Sequence, residues 1–278
     1  MGKFFSVIIP TLNEEIYLPK ILDDLLKQKK QNFDVIIVDS FSDDLTKNVA
    51  RSYESKLPVH FYQTKLHNVA SQRNYGAKKA KGEFLIFFDA DNRVHSNFTK
   101  NAEKVIETKK GLFFIPYIIP AERTENNMKF VFHILNIIIE FSQVVGKPFS
   151  SGGSMIVEKN LFNRIGGFNP HLFHSEDHDI VRKAASWGAK IKFSKQLVVK
   201  FSLRRMKREG RLRLLYKYVL MSGSALFQSR EKLQEQIVTY EMGGHLYKDP
   251  VSKKTYKDDS FKDYMSAIKV FFKNVFEE

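Results

Sequence analysis

The first ninety residues alternate short, largely apolar runs with helix-patterned ones, and this alternation constrains the fold more than any other feature. Phe84–Phe88 is apolar without interruption, Phe4–Pro10 and Phe33–Val38 are apolar but for Ser6 and Asp34, and Val59–Gln63 is a weaker fourth run. Between them, Leu18, Ile21, Leu22, Leu25 and Leu26 recur at helical spacing, and Asn68–Lys81 carries a small face of Ala70, Ala77 and Ala80, stopped by Gly82. Apolar runs without polar alternation fit strands covered on both faces. Strand–helix alternation then implies right-handed crossovers and a mostly parallel sheet flanked by helices. In such sheets ligands bind beyond the carboxyl ends of the strands. Asp39, Asp89 and the Pro10–Glu14 loop all follow strand ends, so several polar groups are expected on one edge. Thr11-Leu-Asn-Glu14 has the form of a capping box for the first helix. Gly76 and Ala77 are expected to let their helix approach the sheet closely.

Composition narrows the class. The 278 residues include 25 Phe and are 43% hydrophobic, which excludes a disordered chain and is ample for a core. There is no cysteine, hence no disulfide framework and no thiolate metal site. The N-terminal apolar run is too short for a signal peptide, and no stretch reaches the roughly 18 apolar residues of a membrane span. A cytoplasmic location is expected. The formal charge of +14 points to an anionic partner, be it phosphorylated small molecules, nucleic acid or an acidic membrane.

Asp89-Ala-Asp91 places two carboxylates two residues apart just after a buried strand. In an extended segment both point the same way, and paired hard oxygen ligands suit Mg²⁺ or Mn²⁺ together with phosphate oxygens. Read alone, the same residues also fit a solvated turn.

Four segments then occur in a telling order: Ser6-Val-Ile-Ile-Pro-Thr-Leu-Asn-Glu-Glu15, Val38-Asp-Ser-Phe-Ser-Asp-Asp44, Ser71-Gln-Arg-Asn-Tyr-Gly-Ala77 and Phe87-Phe-Asp-Ala-Asp91. Together they resemble the nucleotide-sugar half of a family 2 glycosyltransferase with the GT-A fold. Gly152-Gly-Ser-Met155, Ile165-Gly-Gly-Phe-Asn169 and Ser175-Glu-Asp-His-Asp-Ile180 resemble its acceptor half. The resemblance covers about residues 4–205. It implies a GT-A catalytic domain over 1–205, with 1–92 for the nucleotide sugar and 93–205 for the acceptor. Residues 206–278 then form a basic, amphipathic helical extension.

The resemblance also implies roles. Pro10, Thr11, Asn13 and Glu14 line the nucleotide pocket, and Asp39 faces the base, accepting from a uracil or guanine N–H. The acid that usually follows is Ser40 here. Asp43 and Asp44 are expected to cap the next helix. Arg73 is expected to grip phosphate or stack on a base. Asp91 is the metal ligand for Mn²⁺ or Mg²⁺, and Asp89 a ribose contact or second metal-side carboxylate. Glu176-Asp177 matches the acidic pair of inverting members, with Asp177 as general base and Glu176 positioning the acceptor; the competing reading is capping of the helix that follows. Asn92, next to the acidic pair, is expected to change little. His171, His174 and His178 lack the spacing of a zinc pair.

The Gln-x-x-Arg-Trp motif of processive synthases is missing, which favours non-processive transfer of one sugar. Arg204-Arg-Met-Lys-Arg opens a strongly basic run, and Arg204 and Arg205 are its expected ligand contacts. In Phe130–Val145 the polar residues His133, Asn136, Glu140 and Gln143 form a narrow stripe on an otherwise apolar helix, and Phe261–Val275 is similarly amphipathic. Each fits a docking helix or one lying on the cytoplasmic face of a membrane. The expected function is a metal-dependent, inverting transfer of a sugar from a UDP- or GDP-linked donor to a hydroxyl acceptor, a glycan or a lipid-phosphate-linked one. The rival readings are a sugar-nucleotide- or nucleic-acid-binding protein without catalysis, and a sugar-1-phosphate nucleotidyltransferase, which would carry a Gly-rich, Arg-containing loop after the first strand. No nucleic-acid partner is expected.

Overall fold

A computed structural model describes residues 4–65, 67–121, 126–150, 153–172 and 176–204. Backbone contacts divide the chain into units 1–202 and 203–278, and the account below concerns the first. Arg205 and the amphipathic segment 261–275 lie outside the described residues.

The apolar runs form strands where expected. β1 (Phe5–Thr11), β2 (Phe33–Asp39), β3 (Val59–Gln63) and β4 (Phe84–Phe87) alternate with α1 (Leu18–Leu26), α2 (Thr46–Ser52) and α3 (Val69–Lys79). β5 (Arg93–Val94), α4 (Phe98–Lys109), β6 (Phe113–Pro120), α5 (Asn126–Val144), β7 (Met155–Glu158), α6 (Lys159–Arg164), α7 (Glu176–Ser186) and β8 (Ile191–Phe201) follow. The eight strands make one sheet in the order β3-β2-β1-β4-β7-β6-β8-β5. β3, β2, β1 and β4 are mutually parallel. β7 runs antiparallel between β4 and β6, and β5 antiparallel to β8, so the sheet as a whole is mixed. β1 and β2 are buried along their whole length, which accounts for their mostly apolar, non-alternating sequence.

The topology brings three strand ends together. Thr11 is in register with Asp39 across β1 and β2, and Ile8 with Phe87 across β1 and β4. Asp39, the Pro10–Glu14 loop and Asp89–Asp91 therefore emerge on one edge. Because β7 is antiparallel, its start at Met155, opposite Phe87, opens on that same edge.

Local expectations fare unevenly. Thr11 and Glu14 form no capping box: α1 starts at Leu18 with Pro19 in its first turn, its N-cap Tyr17 makes no side-chain cap, and both Tyr17 and Leu18 donate their backbone N–H to the Glu14 carbonyl. α3 is capped by Asn68, whose side chain accepts from the Ser71 N–H. It ends at Ala80, two residues before Gly82. In α5 the polar residues face two ways. Asn136 is buried, and its amide both accepts from the Ile118 N–H at 3.0 Å and donates to the Ile118 carbonyl at 2.7 Å. β7 pairs with β6 only at Phe113 and Phe114, so beyond them Asn136 supplies the donor and acceptor that a neighbouring strand would. The outward side of α5 is apolar, with Ile134, Ile137, Phe141 and Val144 exposed, while Glu140 pairs with Lys195.

Gly76 is where α3 meets the sheet, and a Cβ there would lie 2.6 Å from Cγ2 of Ile8. Gly76→Ala is expected to destabilise the fold by about 1–3 kcal/mol through overpacking, read as a lower denaturant midpoint with unchanged slope.

Candidate active site

The Pro10–Glu14 and Ser40–Asp44 loops are laced to each other by backbone groups and short polar side chains. The backbone N–H groups of Asn13 and Glu14 donate to Ser42 Oγ and Thr46 Oγ1, both at 2.8 Å. In return, the Asp43 and Leu45 N–H groups donate to Asn13 Oδ1 at 3.0 Å and Glu15 Oε2 at 2.8 Å. Asn13 adopts a left-handed φ of 57°, which asparagine tolerates, and Phe41 one of 55°, which a bulky side chain rarely takes. Such a conformation costs about 1–2 kcal/mol. Asp44 accepts from the Thr46 N–H at 2.9 Å and so steadies the start of α2, while Asp43 instead bonds across the loops through its N–H.

Asp39 is completely buried. Its Oδ1 accepts from Thr11 Oγ1 at 3.0 Å and Ser42 Oγ at 2.5 Å, and its Oδ2 from the Ser42 N–H at 2.9 Å and, weakly, Gln63 Nε2 at 3.4 Å. A carboxylate offers about four acceptor positions, and all are met within the protein. Gln72, which the sequence reading passed over, bridges the splaying ends of β1 and β2 by donating to the Thr11 and Val38 carbonyls at 2.9 and 2.8 Å.

Asp89 and Glu176, 87 residues apart in sequence, meet at Arg73. Its guanidinium is 2% exposed. Nη2 donates to Asp89 Oδ1 at 2.7 Å and Nη1 to Glu176 Oε1 at 2.9 Å. The Phe168 ring lies 5.3 Å from Cζ, and Gly153 packs so tightly against the guanidinium that an added Cβ would overlap it. Arg73 thus lies beneath the site with both terminal nitrogens on carboxylates, which corrects the expectation of a group reaching out to phosphate or base. Burial works against its charge, but Asp89, Glu176 and Asp177 outweigh that and raise its pKa. For Glu176 burial dominates: it holds the carboxyl above its ordinary value against the opposing pull of Arg73, reinforced by Asp177 and Asp89. Three carboxylates share one guanidinium, leaving an excess of negative charge.

Glu176 and Asp177 open α7, so they belong to its first turn rather than preceding it. Asp177 Oδ1 accepts from the His178 N–H at 2.9 Å, and the His178 ring rests on Phe149 at 5.2 Å. His171 is exposed. Asp91 is half-buried in the turn after β4. Asn92, expected to matter little, is buried; its Oδ1 accepts from the Asp89 N–H at 2.9 Å and from Ser154 Oγ at 2.7 Å, fixing the acidic turn against the entry to β7. Gln72 and Gly153 fall within the quoted motifs and Asn92 lies beside the acidic pair, but their roles depend on partners far along the chain, Thr11 and Val38, Arg73 and Ser154, and so are not legible locally. Pro10 is buried in β1, and Arg204 is half-buried. Among the described residues no three His, Asp or Glu side chains close around a metal position. The oxygen donors present fit a hard divalent cation whose remaining ligands come from a diphosphate.

Two outcomes follow. Gly153→Ala is expected to displace Arg73 and to destabilise by about 3–5 kcal/mol, as leaving buried acids unpaired does; in an Arg73→Met background the same change costs far less, a coupling that a double-mutant cycle measures. Glu176 has a folded pKa above its unfolded value, so its contribution is full below the unfolded pKa and is lost as pH rises through the folded pKa. Melting of Glu176→Gln against wild type is therefore expected to show a difference shifting in the variant's favour as pH rises through that window.

The sequence signature of Glycosyl transferase family 2 matches residues 6–166. An uncharacterized glycosyltransferase of Haemophilus influenzae is 28% identical over 185 residues, 64% of this chain and 60% of its own length. Poly(ribitol-phosphate) beta-N-acetylglucosaminyltransferase TarS of Staphylococcus aureus is 36% identical over 107 residues, 37% of this chain and 19% of that protein. The matched regions thus span less than two thirds of either relative. In fold, the chain is similar to TarS 1–349 in complex with UDP-GlcNAc, with a TM-score of 0.61, 20% identity and coverage of 98% of this chain and 81% of that one. It is also similar to the mannosyltransferase PcManGT of Pyrobaculum calidifontis in complex with GDP-Man and Mn²⁺, with a TM-score of 0.64, 17% identity and coverage of 99% and 86%. The architecture is that of GT-A glycosyltransferases, and with the signature covering more than half of its residues, the chain belongs to glycosyl transferase family 2.

Proposed function

We propose that the protein is a non-processive, inverting glycosyltransferase that moves one sugar from a nucleoside-diphosphate sugar to an acceptor hydroxyl. The observation that carries this reading is the meeting of Asp89 and Glu176 on the buried Arg73, because it joins the donor-side and acceptor-side acids in one cluster. The loops Pro10–Glu14 and Ser40–Asp44 would form the nucleotide side, and relatives of the same fold bind UDP-GlcNAc and GDP-Man.

Asp177 is the proposed general base, taking the proton from the acceptor hydroxyl as that oxygen attacks the anomeric carbon. Glu176 orients the acceptor, itself held by Arg73. Asp91, with Asp89, would hold Mg²⁺ or Mn²⁺, which when bound supplies positive charge to the departing diphosphate. The excess negative charge around Arg73 supports a cation there. Arg204 and Arg205 are the proposed further contacts to phosphate. The acceptor is proposed to be a glycan or lipid-phosphate-linked, presented at the cytoplasmic face of a membrane. No helix among the described residues is long and apolar enough to cross a membrane, and the outward apolar side of α5 supports peripheral contact.

Calorimetric titration with UDP and GDP, each with and without Mn²⁺, is expected to show metal-dependent binding of at least one nucleotide, lost in Asp91→Ala. Asp177→Asn is expected to keep that binding and to lower release of nucleoside diphosphate from UDP-GlcNAc or GDP-mannose by about 10²–10⁴-fold. Unchanged turnover in Asp177→Asn would remove it as the base.

A further inference from the structure

Phe41 combines three features that packing alone does not explain. It is 46% exposed although it is aromatic. It holds a left-handed φ of 55°, where a bulky side chain is strained and glycine is at ease. It also lies between two residues tied to the buried Asp39 corner: the Ser40 N–H donates to the Thr11 carbonyl at 3.0 Å, and Ser42 bonds both Asp39 oxygens. A strained conformation held by its surroundings is a marker of function. Here the surroundings are the hydrogen bonds on either side of Phe41, which fix the backbone of the Ser40–Asp44 loop and leave the ring largely exposed on it.

The hydrogen bonding of Asp39 sharpens the point. Its acceptor positions are met by Thr11, Ser42 and Gln63, and only the 3.4 Å bond from Gln63 is weak enough to yield readily. A nucleobase N–H would have to displace Gln63 to reach that carboxylate. A base held through its face gains affinity without that displacement. An exposed ring carried on a rigid turn beside that corner offers such a contact at small entropic loss.

We infer that Phe41 is a donor-binding residue whose ring stacks on the nucleobase of the nucleoside diphosphate, so that the aromatic face adds base affinity that is independent of hydrogen bonding at Asp39. This rests on the donor-site reading above. Stacking is tolerant of base identity, since every base has a π-face. Loss of the ring should then weaken all nucleotides by a common factor, whereas loss of a hydrogen-bonding group should weaken one base selectively.

The test is calorimetric titration of the full chain with UDP, GDP and CDP in Mn²⁺, for wild type, Phe41→Gly, Phe41→Asn and Phe41→Tyr, with melting temperatures alongside. Gly and Asn both accept a left-handed φ, so neither variant asks the loop to change shape. The expected result is affinity for each bound nucleotide reduced about tenfold or more in Phe41→Gly and Phe41→Asn, with their ranking kept. Phe41→Tyr stays close to wild type, and the Gly variant melts at or above wild type because the backbone strain is gone. Unchanged affinity in Phe41→Gly would overturn stacking alone and leave the donor site standing. So would a loss confined to one base, or a loss that tracks a fall in melting temperature in both the Gly and Asn variants. Failure of the wild type to bind any of the three would overturn the donor-site reading and this inference together.

Discussion

A single buried cation organises the edge of this sheet. Arg73 brings its charge into the interior from α3, and its two terminal nitrogens end on Asp89 after β4 and on Glu176 at the start of α7. Taking such a group out of water is costly, and the cost is met only when geometry and hydrogen bonding are good. The fold meets much of that cost: both terminal nitrogens reach carboxylates, the Phe168 ring lies near the guanidinium, the missing side chain of Gly153 leaves room for it, and Asn92 holds the Asp89 turn through its N–H, while the buried Nε of Arg73 has no hydrogen-bond partner. The arrangement is also unbalanced by design of its charges. One guanidinium faces Asp89, Glu176 and Asp177, which is why burial and neighbouring acids prevail over Arg73 at Glu176.

The nucleotide side is built on another principle. Its loops carry short polar side chains and backbone N–H groups bonded across from one loop to the other, with Asp39 saturated at their base and Gln72 bridging the ends of the strands beneath. Rigidity there comes from many ordinary hydrogen bonds and not from one ion cluster. The two sides are joined because β1 lies between β2 and β4, so a displacement of the Asp39 corner is felt at Asp89 through one intervening strand.

What was legible in the sequence follows the range of the interactions involved. The strands and α3 could be read because burial on both faces leaves mostly apolar runs without polar alternation, and because Gly76 can be read as a close approach without knowing its partner. The family could be read because its motifs lie at strand ends, where backbone and ligand both restrict the residues allowed. Thr11 and Glu14 misled because a capping-box pattern is local, whereas Thr11 is bound to Asp39 and the Glu14 N–H to Thr46, about thirty residues away. Arg73 was recognised as important but given the wrong direction, since Glu176 is 103 residues further on. Asn92 and Asn136 look like ordinary surface asparagines until the backbone groups they satisfy are seen.

That separation of 103 residues has a consequence for how the molecule is made. The sheet formed by β1 to β4 draws on the first ninety residues and has mainly local crossovers, so it is able to form while the rest of the chain is still being synthesised. Arg73 then belongs to a growing domain in which Asp89 is present and Glu176 is not. Closing so long a loop is entropically unfavourable until β7 has paired with β4 and α7 has arrived. Completion of the acid cluster thus waits on its most distant member, and the guanidinium meets both carboxylates only once the chain through α7 has been made.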